Sequence, residues 1–286
     1  MPPECSTREN PSTVAGRGQG AAAGKTALRP AFGGAHSGHC AALQDDRKTV
    51  EKRLGKGVRA MGETVRIAMD DSYELPAYHA EPEGERRGGL VLIHEIFGVT
   101  EHIRELCDEY AGEGYEVLAP NLFDRVEPGC ALGYTGADWQ RAVQIAREHH
   151  DWEQGLRDTQ RCIDWLKREG GPVFIVGYCF GGSVAWRMAQ TSDDLAAASC
   201  YYGGYVATRF ADDPPKCATI CHFGRYDSMV EFAEVEKLAA VGHPTAQIFV
   251  YEAGHGFNSD RRKDYHPDSA ELAWQRTLML FKACGG

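Results

Sequence analysis

The run Gly177-Tyr178-Cys179-Phe180-Gly181-Gly182 lies between an apolar stretch, residues 172–176, and a helical pattern over residues 183–189. Glycines two before and two after a nucleophilic side chain, set between a strand and a helix, give the spacing of a nucleophile elbow, with cysteine where serine is usual. A sharp strand-to-helix turn strains its central residue, and the glycines let neighbouring backbones pass without a clash. The central side chain then projects beyond the sheet. The start of the helix favours a thiolate there and offers backbone N–H groups to an oxyanion. Taken alone, the hexapeptide is also compatible with a tight turn around a buried structural cysteine.

Working outward, apolar runs alternate with segments of helical period. Strands are expected at residues 64–69, 75–79, 89–94, 115–119, 172–176, 195–202, 218–223 and 246–251. Between them, Thr100 opens a helix with Ile103, Leu106, Cys107 and Tyr110 at helical spacing. Further helices are expected at 137–149, 152–168, 183–189, 229–240 and 269–282. This order predicts an α/β fold, a mostly parallel sheet with helices on both faces. In such sheets ligands sit beyond the carboxyl ends of the strands.

Residues 1–60 read differently. Gly, Ala, Ser and Pro dominate 11–38, and no hydrophobic period persists. The expectation is a disordered extension or a stretch upstream of a start at Met61, with one domain over residues 61–286. The first sixty residues hold ten Lys/Arg against five Asp/Glu, so the remainder carries 21 basic and 36 acidic side chains within a net charge of −10. An acidic body argues against nucleic acid or an anionic membrane as partner. No apolar run approaches the roughly 18 residues of a membrane span. Ten cysteines without paired spacing or a secretory signal point to a reducing, cytoplasmic setting rather than a disulfide framework.

Two further loops follow strands. Asp227, in Phe223-Gly224-Arg225-Tyr226-Asp227, stands where a triad acid belongs, although this segment taken alone fits better a cap of the next helix by Asp227 or Ser228. His255, in Gly254-His255-Gly256-Phe257, is a loop histidine between glycines that core packing explains poorly. The order nucleophile, acid, histidine along the chain is that of α/β-hydrolases. Glu95, in His94-Glu95-Ile96-Phe97-Gly98, ends an apolar strand where a carboxylate is costly to bury without a partner. It is placed against the active-site thiol. The backbone N–H groups of Ile96 and Phe180 are assigned to an oxyanion hole, and Phe97, Tyr201 and Tyr202 are candidate pocket aromatics. His94, Glu95 and His102 lack a metal-binding spacing, so neither metal nor cofactor is expected. The adjacent His149 and His150 read as surface residues.

These four motifs together resemble the dienelactone hydrolase family (carboxymethylenebutenolidases), over about residues 63–283. The resemblance implies the α/β-hydrolase fold and opening of a lactone through a thioester. Cys179 would be the nucleophile, His255 base and then acid, and Asp227 the group orienting it; Glu95 would take the thiol proton when substrate binds. Well-characterised members carry an arginine four residues after the triad histidine to hold a substrate carboxylate. Ser259 stands there in this chain, which leaves Arg261, or its neighbour Arg262, as the substitute. The expected partner is thus a small lactone or ester. A general carboxylesterase of the same fold, or a non-catalytic thiol sensor or binding protein, are the rival readings. The sequence leaves the oligomeric state open and is compatible with a monomer.

Overall fold

The structure is a computed structural model and describes residues 62–82 and 84–286. The expectation for residues 1–60 falls outside that range. Eight strands form one sheet: β1 (Glu63–Ala68), β2 (Glu74–Ala80), β3 (Gly88–Ile93), β4 (Tyr115–Pro120), β5 (Val173–Tyr178), β6 (Ala197–Tyr201), β7 (Ala218–Gly224) and β8 (Ala246–Tyr251), in the order β1-β2-β4-β3-β5-β6-β7-β8. β1 and β2 pair antiparallel, as do β2 and β4, and every later pair is parallel.

The central strands are apolar throughout because both of their faces are covered. Along β3, Val91 and Ile93 join the core on one face, and Leu90 and Leu92 the core on the other. Along β5, Val173 and Ile175 likewise oppose Phe174, Val176 and Tyr178. The first core is closed by α3 (Trp152–Lys167), α4 (Phe180–Thr191) and α6 (Phe232–Val241). The second is closed by α1 (Glu101–Gly112) and α7 (Pro267–Ala283). Each fully buried aliphatic side chain contributes about 1.5–3 kcal/mol. This is the α/β-hydrolase fold.

Three segments differ from their expected form. The single helix expected at 137–149 is α2 (Gly136–Gln144) followed by a π-helical turn, Ile145–His149. The helix expected from Met229 begins only at Phe232, because the Asp227 carboxylate first holds the N–H groups of Met229 and Val230 in a turn. A five-residue helix, α5 (Gly204–Thr208), starts on a glycine and left no periodic trace. His150 is not a surface residue: its ring packs edge-on against Phe123 and Phe180, at 5.2 Å from each.

The elbow glycines are required by contact. A Cβ on Gly177 would stand 2.0 Å from the carbonyl oxygen of Gly181, and one on Gly181 would stand 2.3 Å from that of Ile93. Neither neighbour is a flexible side chain, so the backbone itself would have to move. Gly181→Ala is therefore expected to cost about 1–3 kcal/mol, read as a lower urea midpoint at unchanged slope. An unshifted midpoint would contradict the contact account of the motif.

Candidate active site

Cys179 stands between β5 and α4 with φ +56° and ψ −112°, a conformation that L side chains rarely adopt. Its Sγ lies 3.1 Å from Nε2 of His255. Nδ1 of His255 donates to Oδ2 of Asp227 at 2.8 Å. The other oxygen, Oδ1, accepts the backbone N–H of Met229 at 2.7 Å and of Val230 at 3.0 Å. One oxygen thus faces the histidine, and the other closes the turn that precedes α6, whose N-cap is Glu231 and not Asp227. Burial opposes charge on the His255 ring, but the Cys179 sulfur and the Asp227 carboxylate outweigh it and push its pKa up to about 10. The arrangement favours the charged form of the imidazole ring.

Glu95 follows β3 and is only 2% exposed. Its Oε1 accepts from Nη1 of Arg262 at 3.1 Å. Gly256 has φ +76°, and a Cβ there would stand 2.8 Å from Cδ of Arg262, so the glycine after His255 makes room for this arginine. Oε2 of Glu95, the Tyr202 hydroxyl and Oγ of Ser259 are buried with no hydrogen-bond partner among the described residues. The backbone N–H groups of Ile96 and Phe180 likewise donate to no described group, whereas that of Gly181 is taken by the His94 carbonyl at 3.1 Å. As the first residue of α4, Phe180 has no acceptor within its own helix. Cys179, Ile96, Phe180, His255 and Arg262 all line one cavity of about 220 Å³.

The remaining candidates fall elsewhere. Arg261 points away from the cavity, with Nη2 on Glu105 at 2.7 and 2.8 Å and Nη1 on Asp260 at 2.6 Å. The guanidinium facing the site belongs to Arg262 because successive loop side chains diverge. Phe97 is buried under Tyr134, 4.5 Å between ring centres, and Tyr201 directs its hydroxyl to Thr277 at 2.9 Å. Tyr202 touches the site from behind, its ring 5.1 Å from that of His255. None of these four residues is among those lining the cavity. The wall is instead built from residues that sequence reasoning missed: Trp139, Val143 and Ala146 on one side, Tyr205 and Thr208 of α5 and Met229 on the other. The 139, 143, 146 spacing was the available signal, an apolar stripe at helical period.

His94 is structural. Nδ1 donates to the Glu95 carbonyl at 2.5 Å and Nε2 accepts the Leu122 N–H at 3.1 Å, and burial pushes its pKa down to about 4. Among the described residues, no three His, Cys, Asp or Glu side chains are grouped to hold a metal ion, and no helix is long and apolar enough to cross a membrane.

Glu95 is buried and Arg262 half-buried, so removing the arginine strands the carboxylate's charge. Arg262→Met is expected to cost about 3 kcal/mol, and adding Glu95→Gln is expected to recover most of it; equal stability of single and double variants in urea titrations would rule out the coupling. His255 supplies a pH signature. Its charged form is held to about pH 10 in the folded chain, against an ordinary value of 6.5. The stabilisation is complete below 6.5 and is lost as pH rises through about 10. The Tm advantage of wild type over His255→Gln should therefore shrink across that interval, and an advantage that grew would mean a neutral ring.

The sequence profile of the dienelactone hydrolase family matches residues 75–285. A protein of Escherichia coli K12 named "Putative carboxymethylenebutenolidase" is 34% identical over 231 residues, covering 74% of this chain and 83% of that protein. One of the same name from Yersinia pestis is 34% identical over 243 residues, covering 78% and 88%. A crystal structure described as a "Putative Dienelactone Hydrolase" from Klebsiella pneumoniae aligns with TM-score 0.69 at 31% identity, over 77% of this chain and 98% of that one. With the sheet order and the elbow already in place, these matches make the chain a carboxylic ester hydrolase, a member of the dienelactone hydrolase family.

Proposed function

We propose that the protein hydrolyses a small lactone or ester through a thioester on Cys179. The observation that carries this reading is the unbroken line from Sγ of Cys179 through both ring nitrogens of His255 to Asp227, at 3.1 and 2.8 Å. Distances of this order are those of a nucleophile in hydrogen-bond reach of its base, with the base held by a third group.

The sulfur attacks the ester carbonyl carbon, and the oxygen becomes an oxyanion received by the N–H groups of Ile96 and Phe180. Each such donor is worth on the order of 3 kcal/mol in the transition state. As the C–O bond breaks, the His255 imidazolium gives its proton to the departing oxygen; in a lactone that oxygen stays on the acyl chain. Water then attacks the thioester, His255 takes a proton from it, and the C–S bond breaks to release the acid. Asp227 keeps the ring oriented and offsets its positive charge throughout.

Glu95 and Arg262 extend the reading. The family resemblance makes Arg262 the group that meets a substrate carboxylate, in place of the arginine missing at Ser259. A carboxylate arriving there competes with Glu95 and frees it to take the thiol proton. The free Oε2 of Glu95 is consistent with that second role.

The test is a panel of dienelactone, a free-acid aryl ester and a neutral aryl ester, run with wild type and Cys179→Ala. Wild type should turn over the lactone or the free-acid ester, with a burst of phenol from the aryl ester. The alanine variant should fall by at least about a thousandfold. Undiminished turnover in Cys179→Ala would sink the cysteine mechanism, and preference for the neutral ester would mark a general carboxylesterase. Ligand binding without turnover in wild type would mark a sensor.

A further inference from the structure

Between the end of β3 and the proposed oxyanion donor Ile96 stands a histidine with no exposed surface, His94. The four residues before it, Leu90, Val91, Leu92 and Ile93, are apolar and equally buried. An imidazole in such a place must satisfy two ring nitrogens or bear the cost of leaving one bare. Both find partners. Nε2 accepts the Leu122 N–H at 3.1 Å, so the one proton of the neutral ring belongs to Nδ1, 2.5 Å from the Glu95 carbonyl oxygen. Burial holds the ring in that neutral form.

The carbonyl it holds belongs to the same peptide as the Ile96 N–H. Across a planar trans peptide the C=O and the N–H point in opposite directions, so a bond that fixes one also aims the other. The Glu95 oxygen is turned back to His94, and the Ile96 N–H, without an acceptor among the described residues, belongs to a residue lining the cavity with Cys179. A donor on the carbonyl also polarises the peptide and strengthens its N–H. The second proposed donor meets the same residue. The rings of His94 and Phe180 stack with centres 6.0 Å apart and planes 23° from parallel, and the His94 carbonyl accepts the Gly181 N–H at 3.1 Å.

We propose that His94 is a positioning residue of the oxyanion hole: its Nδ1–H holds the Glu95–Ile96 peptide so that the Ile96 N–H meets the substrate carbonyl oxygen as Cys179 attacks. The C–S bond forms, the C=O electron pair moves onto oxygen, and the charge arrives at a donor that needs no reorientation. This rests on the hydrolytic reading and adds to it a residue that touches no substrate. The rival role for His94 is only to anchor the loop after β4 through Leu122, and the two ring nitrogens separate the roles.

An asparagine amide nitrogen reaches the place of Nδ1, and a glutamine amide oxygen that of Nε2. His94→Asn therefore keeps the donor to Glu95, and His94→Gln keeps the acceptor for Leu122. With p-nitrophenyl acetate, kcat should fall about tenfold to a hundredfold in His94→Gln, less than for loss of a whole donor, at a KM within about twofold of wild type. His94→Asn should recover most of that loss. Alkylation of Cys179 by iodoacetamide forms no oxyanion and should keep its wild-type rate in both variants. Phenyl trifluoromethyl ketone, to whose carbonyl the thiol adds without turnover, should bind about tenfold or more weaker to His94→Gln in calorimetry, and His94→Asn should again recover. Nitrogen NMR of wild type, which depends on neither variant folding, should find His94 protonated at Nδ1 and bare at Nε2. The opposite tautomer, a loss in His94→Asn that His94→Gln escapes, or alkylation falling in step with kcat overturns the positioning role. Inert ester with a ketone Kd that still follows the donor overturns only the hydrolytic reading.

Discussion

Everything in the site depends on one tight turn. Cys179 is held at positive φ by backbone contacts on both sides: its N–H donates to the Tyr201 carbonyl at 2.9 Å, and the Gly181 N–H donates to the His94 carbonyl at 3.1 Å. These bonds tie the turn to the ends of β6 and β3, the strands flanking β5. The sulfur's position is therefore set by the sheet and not by a loop. Strain of about 1–3 kcal/mol at such a residue persists only where the surroundings over-determine it, and here two fully apolar layers do so. The same stitching brings Ile96, just past β3, to the cavity that Cys179 lines.

Around that sulfur the chain buries charge in pairs. Asp227 faces His255, and Glu95 faces Arg262. Each pair needs the other's region to stay dry, since burial strengthens attraction between partners and penalises any group left alone. The three unpartnered atoms on Glu95, Tyr202 and Ser259 are costly by the same argument. A fold optimised for stability alone would replace Tyr202 by phenylalanine; the tyrosine is kept at φ +39°, with its ring 5.1 Å from that of His255.

Much of this was legible in the sequence, because strong local constraints leave local marks. Strands buried on both faces read as apolar runs, and the elbow reads as glycines around Cys179, since backbone contact admits nothing larger. His255 and Asp227 could be placed because loops after strands open at one end of the sheet. What was not legible depends on side-chain direction across distant segments. Arg261 and Arg262 are chemically identical in sequence, and only the course of the loop decides that the second faces the cavity while the first reaches Glu105. Tyr201 and Tyr202 are adjacent and chemically alike in sequence, yet one bonds Thr277 and the other backs the histidine. The π-helical turn Ile145–His149 has no periodic signature distinct from the helix before it.

The divided duty of the Asp227 carboxylate has a consequence for which residues position 227 can hold. One oxygen accepts two backbone N–H groups and the other accepts the imidazole N–H, so every neighbour of the group is a donor. An amide of the same shape has a donor at one end and would turn it on one set of donors or the other. Glutamate, a methylene longer, moves both oxygens at once. The position is thus closed to isosteric exchange: the turn leading into α6 and the tautomer of the histidine are locked by one functional group, and drift at this site cannot relax one without releasing the other.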